Sequence, residues 1–553
     1  MTNSDIADLL KLYADLSELH GGNPFKIKSF ASASFRIDKL PTVLAGKTIA
    51  ELEKVEGVGK TLAAKIFEIN ETESFTDLTE LIAQTPEGVL QMMKIKGIGP
   101  KKIAQIWKEL EIESIGELLY ACKENRLAQA KGFGLKTQQN VINQIEFMFA
   151  SENKFHYATA EQTARELVEE LNKLNLFEAL SFTGALRRKL EIIDNIELIA
   201  ATAKSIDEIT STLQVNNVLT NVSSNQHIIS GTYKNIHVSL FISLPAQFAW
   251  NLFETTASTA HLQLLDLNTI NKNETTETAI YASISLPYIE PELREGLHEV
   301  DYAKQNKLPQ LIEYTDLKGA LHNHSTWSDG LNTIAEMAKA CQQMGYSYFG
   351  IADHSKAAFY ANGLDEERII NQREEIDKLN KANSAFKIFK GTECDILYNG
   401  QLDYSNDVLA TFDYVVASVH SILKMNEEKA MSRLITAIEN PYTTILGHPT
   451  GRLLLLRQGY PINHQKVIDA CAANNVAIEI NAHPYRLDLD WRYIDYALNK
   501  NVMLCINPDA HSIEGLKDMY YGTQIGRKGG LTAAQCLNAF DTEKLDAYFK
   551  LKK

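Results

Sequence analysis

Seven short apolar runs are spaced through residues 319–511, and most of them end on or beside a histidine or an acidic residue. The runs are GALHNH, YFGIAD, FKIFKGTE, YVVASVH, TTILGH, VAIEIN and VMLCINPD, separated by stretches of helical periodicity such as 334–344 and 367–382. Strand alternating with helix predicts a barrel-like α/β domain whose functional residues gather at the carboxyl ends of its strands. His322, His324, Asp329, His354, Glu393, His420, His448, Asp509 and His511 stand at or just beyond those ends. Imidazoles and carboxylates suit zinc, manganese and iron, whereas calcium sites are built almost wholly from oxygen.

A lone histidine on an apolar face is usually a satisfied core or surface residue. The recurrence at strand ends argues otherwise here, as does the spacing of His322 and His324, which puts both rings on one face of a strand. Nine such residues are too many for one ion, so two or three divalent ions (Mn, Zn or Fe) are expected. A multi-metal cluster is the usual apparatus for hydrolysing phosphate esters. Asp353 is a candidate for orienting a ligand or relaying protons. Arg452 in GHPTGR and Arg486 in HPYRL follow site strands and are candidates for clamping a phosphate oxygen.

Near the start of the chain, residues 52–66 (LEKVEGVGKTLAAKI) and 92–106 (MMKIKGIGPKKIAQI) repeat one pattern. An apolar residue, a Gly-apolar-Gly turn and a basic or Pro-containing helix start make a helix-hairpin-helix. The glycines (Gly57 and Gly59, Gly97 and Gly99) let the backbone approach a phosphate, and the N–H groups of the next helix bind it. Lys60, Lys101 and Lys102 add charge at the contact. One such turn would be explained by helix packing; two in register predict sequence-independent binding to the DNA backbone. A weaker third copy spans 132–145.

The segments HNHSTWSDG, ADHS, GTECDI, ASVHS, GHPTGR and DAH resemble the successive motifs of PHP (polymerase and histidinol phosphatase) domains. The resemblance implies a distorted, TIM-like (β/α)7 barrel with a trinuclear metal centre. It places His322, His324, Glu393 and Asp509 on the first metal, Glu393, His420 and His448 on the second, and Asp329, His354 and His511 on the third. Upstream, residues 23–41 and the hairpins resemble the small helical domain and fingers of family X DNA polymerases. The linker-like PYIEPELREG (287–296) followed by the metal domain resembles the bacterial branch of that family, a DNA polymerase β-like core fused to a PHP domain. This implies all-α hairpin domains over 1–80 and 81–150, and an α+β nucleotidyltransferase-like palm over 151–245. A thumb-like region over 246–300, a linker over 301–315 and the barrel over 316–553 complete the chain. A family of this kind implies DNA polymerisation together with 3′–5′ exonuclease activity.

The palm departs from the family pattern. In FTGALRRKLEIIDNIELIA (182–200), Gly184, Arg187, Arg188 and Glu191 match, but the phosphate-binding Ser position is Ala185. The Asp-x-Asp position reads Asn195-Ile196-Glu197, and the third carboxylate position, on the strand over 235–243, is Ser239. An amide cannot supply the anionic ligand that a Mg²⁺ pair needs, and Glu197 is a methylene too long for an ion with strict geometry. The thumb turn reads Leu252-Phe253-Glu254-Thr255, and no arginines follow His261 in HLQLLDLNT. These replacements predict a polymerase-shaped region with Mg²⁺ binding and nucleotide transfer impaired or lost. Phosphoesterase chemistry remains in the barrel, with exonuclease, abasic endonuclease and 3′-phosphatase preferences left open. A bifunctional polymerase and a small-molecule phosphatase of the histidinol-phosphatase kind are the alternative readings.

The sequence has no apolar run approaching the ~20 residues that span a bilayer, and its first residues, MTNSDIADLL, lack a signal pattern. Six cysteines form no CxxC pair, and Cys394, Cys471 and Cys505 fall in expected core segments read as strands. A monomeric cytoplasmic protein with reduced, buried thiols is expected. The net charge of −15 predicts weak, salt-sensitive affinity for DNA, its expected partner.

Overall fold

A computed structural model describes every residue except 39, 41, 56, 151–153, 552 and 553. Parts of the 23–41 and 52–66 segments, and the expected boundary at 150/151, therefore touch positions outside the described residues. The chain divides into two compact units, Met1–Glu146 and Phe147–Lys553.

The first unit is helical. Its hairpins join Ile49–Leu52 to Lys60–Thr72, Glu87–Met92 to Pro100–Lys108, and Arg126–Gln129 to Leu135–Ala150. In each, the first glycine takes a left-handed backbone (Gly57 φ +85°, Gly97 φ +97°, Gly132 φ +84°), which only glycine adopts without strain. Gly59 and Gly99 then cap the following helices, leaving the first-turn N–H groups unspent on a capping side chain. The third segment thus takes the same form as the two stronger ones. A Cβ on Gly57 would meet only the far end of the flexible Arg36 side chain, at 2.9 Å, so it is the positive φ that calls for glycine here.

The second unit opens with a short antiparallel pair, β1 (Phe155–His156) and β3 (Ile192–Ile193). The five-stranded palm sheet runs β2 (Ala179–Phe182), β4 (Ile196–Ala201), β7 (Ile236–Ser243), β6 (Ile228–Tyr233), β5 (Thr220–Asn225), in that spatial order. Helices Tyr157–Lys173 and Ile206–Val215 join Leu167, Leu198, Ile209 and Leu240 in its core. A smaller helical region follows, packed around Phe253, Ile280 and Tyr281. Leu252–Thr255 lie inside the helix Phe248–Thr256 rather than in a turn, because buried Phe253 anchors that helix against Tyr281.

All seven expected barrel strands form. They are β8 (Gly319–Ala320), β9 (Tyr348–Ile351), β10 (Lys387–Asp395), β11 (Tyr414–Ser418), β12 (Ile445–Leu446), β13 (Ala477–Asn481) and β14 (Leu504–Asn507). They pair in parallel and in chain order. The two edges approach through a bridge between Asn323 and Ala510, where His324 N–H donates to Ala510 O at 2.9 Å, giving a nearly closed barrel. Side chains alternate cleanly. Tyr348, Phe389, Tyr414, Val416 and Cys505 pack with Phe549 of the C-terminal helix in one cluster, while Phe349, Ile351, Val415, Ile478 and Ile506 pack in the larger one. Both faces are therefore buried, which is why these strands read as unbroken apolar runs.

Two details differ from expectation. Strand β8 stops at Ala320, so His322 and His324 lie on an extended segment beyond it, held by the Asn323 bridge rather than by a ladder. Cys471 sits in the helix His464–Asn474, although all six cysteines are free and buried. No described helix is long and apolar enough to cross a membrane.

The palm and barrel share a buried seam. Leu190 and Ile192 pack on the barrel cluster. Glu191 accepts from Trp491 Nε1 at 2.9 Å and Arg492 Nη1 at 2.8 Å. Lys528 Nζ donates to Glu295 Oε1 and to the carbonyl oxygen of Arg188. His156 Nε2 lies 2.8 Å from Leu454 O, its ring against Tyr485 at 4.2 Å.

Candidate metal centre

Glu393, at the buried end of β10, is the hub of the barrel site. Its Oε1 lies 3.3 Å from His322 Nε2, 3.0 Å from His420 Nε2 and 3.1 Å from His448 Nε2. Its Oε2 lies 2.9 Å from His354 Nδ1 and 3.6 Å from His324 Nε2. Five imidazoles around one carboxylate is the arrangement of a bridging ligand. Asp509 adds Oδ1 at 3.0 Å from His324 Nε2 and 3.4 Å from His322 Nε2. Asp329 completes the group, with Oδ1 3.4 Å from His511 Nε2 and Oδ2 3.6 Å from His354 Nε2.

All nine residues expected from sequence therefore converge. Within the second unit three groups offer ligand atoms within 4.8 Å of one another: His322, His324, Glu393 and Asp509; His324, Asp329, His354 and His511; and His354, Glu393 and His420. The first coincides with the expected set. The second adds His324 to the expected three. In the third, His354 stands where His448 was expected, and His448 joins none of the three groups, although its Nε2 lies 3.1 Å from Glu393 Oε1.

The donor set fits divalent cations. His322 Nε2, His324 Nδ1, His354 Nδ1 and Glu393 Oε2 are buried and none makes a well-directed hydrogen bond, the last two despite lying 2.9 Å apart. Orphaned polar atoms are costly in a protein interior unless something coordinates them. The titration of the group is correspondingly distorted. Burial disfavours the cationic form of His322, but the carboxylates of Glu479, Glu393 and Asp509 outweigh it and hold this histidine well above its usual range. Burial likewise opposes the charging of His420, yet Glu393 and Asp395 push it up to about 10. His324 goes the other way, down to about 3, through burial and the neighbouring His511 and His354. Glu393 and Asp509 are held low against burial by the surrounding imidazoles.

Two supporting carboxylates escaped the sequence reading. Glu479 Oε2, in the middle of β13, lies 2.7 Å from His322 Nδ1, while its Oε1 accepts from His448 N–H at 3.1 Å. Asp395 Oδ1 lies 2.9 Å from His420 Nδ1. A carboxylate only accepts, so each imidazole carries its proton on Nδ1 and presents Nε2 to Glu393. The available signal was an acidic residue inside an otherwise apolar strand run, in VAIEIN and in GTECDI.

Among the catalytic candidates, Asp353 is buried and accepts from Ser325 N and Oγ, both at 2.7 Å, and from Gln372 Nε2 at 2.6 Å. It pins the loop that follows His324. Arg452 does not reach into the site: its guanidinium donates to Asp490, Leu487 O and Arg486 O, which spends it on bracing the loop after β13. Arg486 is buried with Nε 3.9 Å from Asp509 Oδ2, at the edge of the cluster.

In the palm, the register places Glu197 of β4 opposite Ser239 of β7, and Asn195 Nδ2 donates to Ser239 Oγ at 3.4 Å. The three sequence positions thus meet in space. Glu197 folds back so that Oε2 accepts from Ala185 N at 3.2 Å. A Cβ at Gly184 (φ +57°) would clash with the same carboxylate. Burial raises its pKa, with Ala185 N–H and Arg188 counteracting. Arg187 is paired with Glu277, which also takes Arg294, and Arg188 donates to Glu295 Oε1 at 3.0 Å. His261 is enclosed between Glu299 and Tyr281. In the first unit, Lys60 begins the helix after the first hairpin. Lys101 and Lys102 follow Pro100, with Lys102 Nζ 5.2 Å from the Phe133 ring centre.

Comparison with known proteins gives matches along the chain. Residues 1–75 match a helix-hairpin-helix domain, 89–146 a SAM-like helix-hairpin-helix tandem and 320–483 the PHP domain. The whole chain is 35% identical, over 572 aligned residues and 100% of both proteins, to the DNA polymerase/3′-5′ exonuclease PolX of Bacillus subtilis. A part covering 42% of the chain is 29% identical to 95% of a probable phosphatase of Acetivibrio thermocellus. A similar part is 25% identical to 94% of a probable phosphatase of Thermoanaerobacter.

Proposed function

Since the chain belongs to the family X DNA polymerases of the PolX type, with helix-hairpin-helix domains and a C-terminal PHP domain, we propose that it works as a DNA-binding, metal-dependent phosphoesterase that shortens DNA from a 3′ end, its palm no longer supporting efficient nucleotide transfer. The observation that carries this reading is the contrast between two sites. Around Glu393 the full ligand set of the barrel converges, whereas Asn195, Glu197 and Ser239 bring one carboxylate to the palm.

His322, His324, Glu393 and Asp509 would hold one ion, Glu393, His420 and His448 a second, and Asp329, His354 and His511 a third. Such ions, when bound, supply a Lewis acid that polarises a phosphate ester and lowers the pKa of water. The chain's own residues do the rest. Glu479 and Asp395 fix the tautomers of His322 and His420, so that the right nitrogen faces inward. Asp353 holds the first ligand loop in place. Arg486, beside Asp509, would meet a phosphate oxygen. The N–H groups at the starts of helices Lys60–Thr72 and Pro100–Lys108 grip the DNA backbone without regard to sequence.

A bifunctional polymerase and exonuclease is the second reading, favoured by the full-length likeness to the Bacillus subtilis protein. A 5′-labelled primer-template incubated with the protein and Mn²⁺ or Mg²⁺, with and without dNTPs, separates the two. Shortening alone supports the first reading, and extension supports the second. Shortening should vanish in His420→Ala.

A further inference from the structure

Two large apolar side chains stand in water on loops that leave the metal-ligand cluster. Phe359 is 65% exposed, in the short 3-10 turn Phe359–Ala361 that follows His354 beyond β9. Ile422 is 57% exposed, two residues past His420 beyond β11. The two loops depart from neighbouring ligand positions, since the His354 and His420 rings are 5.0 Å apart. A line of rings runs outward along the first loop, with Tyr360 6.5 Å from His354 and Phe359 5.8 Å from Tyr360.

Ile422 is unusual in a second way. Its φ is +53°, a left-handed conformation that β-branched residues strongly avoid and that glycine or asparagine would take without strain. The conformation is enforced from beneath, because buried Arg433 donates through Nη1 to Ser421 O at 2.9 Å and to Ile422 O at 3.4 Å. The fold therefore holds a strained isoleucine out to solvent two residues past His420. Lys424, also exposed, follows on the same loop. An exposed aromatic and an exposed aliphatic residue flanking a reactive centre suit a flat, apolar-faced ligand rather than a bare phosphate ester.

We propose that Phe359 and Ile422 form a subsite for the terminal nucleobase of a DNA strand, stacking it outside the duplex while its phosphodiester lies at the cluster. The inference rests on the phosphoesterase reading and specifies its substrate: a nucleotide-bearing diester, selected by its base as well as its phosphate.

The test uses the full-length protein with Mn²⁺ and two oligonucleotides that differ only at the 3′ terminus, one ending in 2-aminopurine and one in an abasic residue. Glycerophosphoethanolamine, a phosphodiester with no flat ring, serves as the third ester. In Phe359→Ala the ratio of kcat/KM for base-terminated over abasic-terminated strand should fall about tenfold, the loss of one base–aromatic stack, and in Ile422→Gly it should fall by less, the loss of one aliphatic contact. Phe359→Trp should restore it. Wild-type binding should quench 2-aminopurine fluorescence, and Phe359→Ala should abolish the quench. Equal losses on all three substrates, or an unaltered ratio, would overturn the subsite. Quenching by a wild-type protein that cleaves none of the three would uphold the subsite and sink the phosphoesterase reading instead.

Discussion

Glu479 and His322 are locked together at 2.7 Å in the floor of the metal-ligand cluster, and Glu479 simultaneously receives the backbone N–H of His448. One carboxylate thus sets the geometry of two expected ligands. Glu479→Gln should keep the fold but release the Nδ1 proton preference of His322. Metal occupancy or hydrolysis should drop about 10- to 100-fold, as is usual for such supporting carboxylates. Elemental analysis of protein purified without chelator should show two or three ions per chain in the wild type and fewer in the variant.

The palm should not extend primers usefully. Extension is best measured in His420→Ala, where degradation does not mask it, with dNTPs and Mn²⁺. The expected rate deficit is orders of magnitude, because both ions of nucleotidyl transfer need converging carboxylates. Robust extension in that background would restore the bifunctional reading. Extension that appears only after Asn195→Asp, Glu197→Asp and Ser239→Asp are combined would assign the deficit to those three positions.

Removing residues 1–146, a compact unit in its own right, should leave a folded remainder. That remainder should hydrolyse bis-p-nitrophenyl phosphate like the full chain but bind DNA more weakly. The salt dependence of its DNA affinity should also flatten, by roughly 0.9 in slope for each duplex phosphate that the hairpins no longer grip. A truncated protein with unaltered affinity and salt slope would exclude the hairpins from DNA delivery.

Lys528 gives a pH dependence with a definite sign. Burial lowers its pKa from 10.5 to about 8, with Glu295 partly opposing. Between those two values the unfolded chain holds the proton more tightly than the folded one, so this group makes stability rise with pH across that window. Below about 8 the lysine is charged in both states and the penalty for burying the charge is fully present. Urea midpoints of the wild type relative to Lys528→Met should therefore climb from pH 8 to 10.5, and a flat or falling difference would contradict the assignment.

The barrel was legible because strands buried on both faces leave unbroken apolar runs, and because the residues of interest sit where those runs end. His322 and His324 were read correctly as a pair but on the wrong support, since β8 is only two residues long and a bridge to Ala510 extends it. Glu479 and Asp395 were missed because an acid inside an apolar run looks like an interruption of the pattern. The partners of Arg187 and Arg188 carry no local signal at all: Glu277 and Glu295 lie 90 and 107 residues further along the chain. Leu252–Thr255 were read as a turn by analogy, whereas Phe253 had the apolar character that made them helical.

The Arg188–Glu295–Lys528 junction ties inheritance to folding. Arg188 and Glu295 come from the polymerase-like half and Lys528 from the barrel, and each would be left as an uncompensated polar group if its neighbours were deleted. A lineage that ceased to need nucleotide transfer could therefore not discard the palm in one step without also weakening the barrel it leans on. Persistence of the polymerase shape in such a chain requires no persistence of the polymerase reaction, because the seam ties the two modules together.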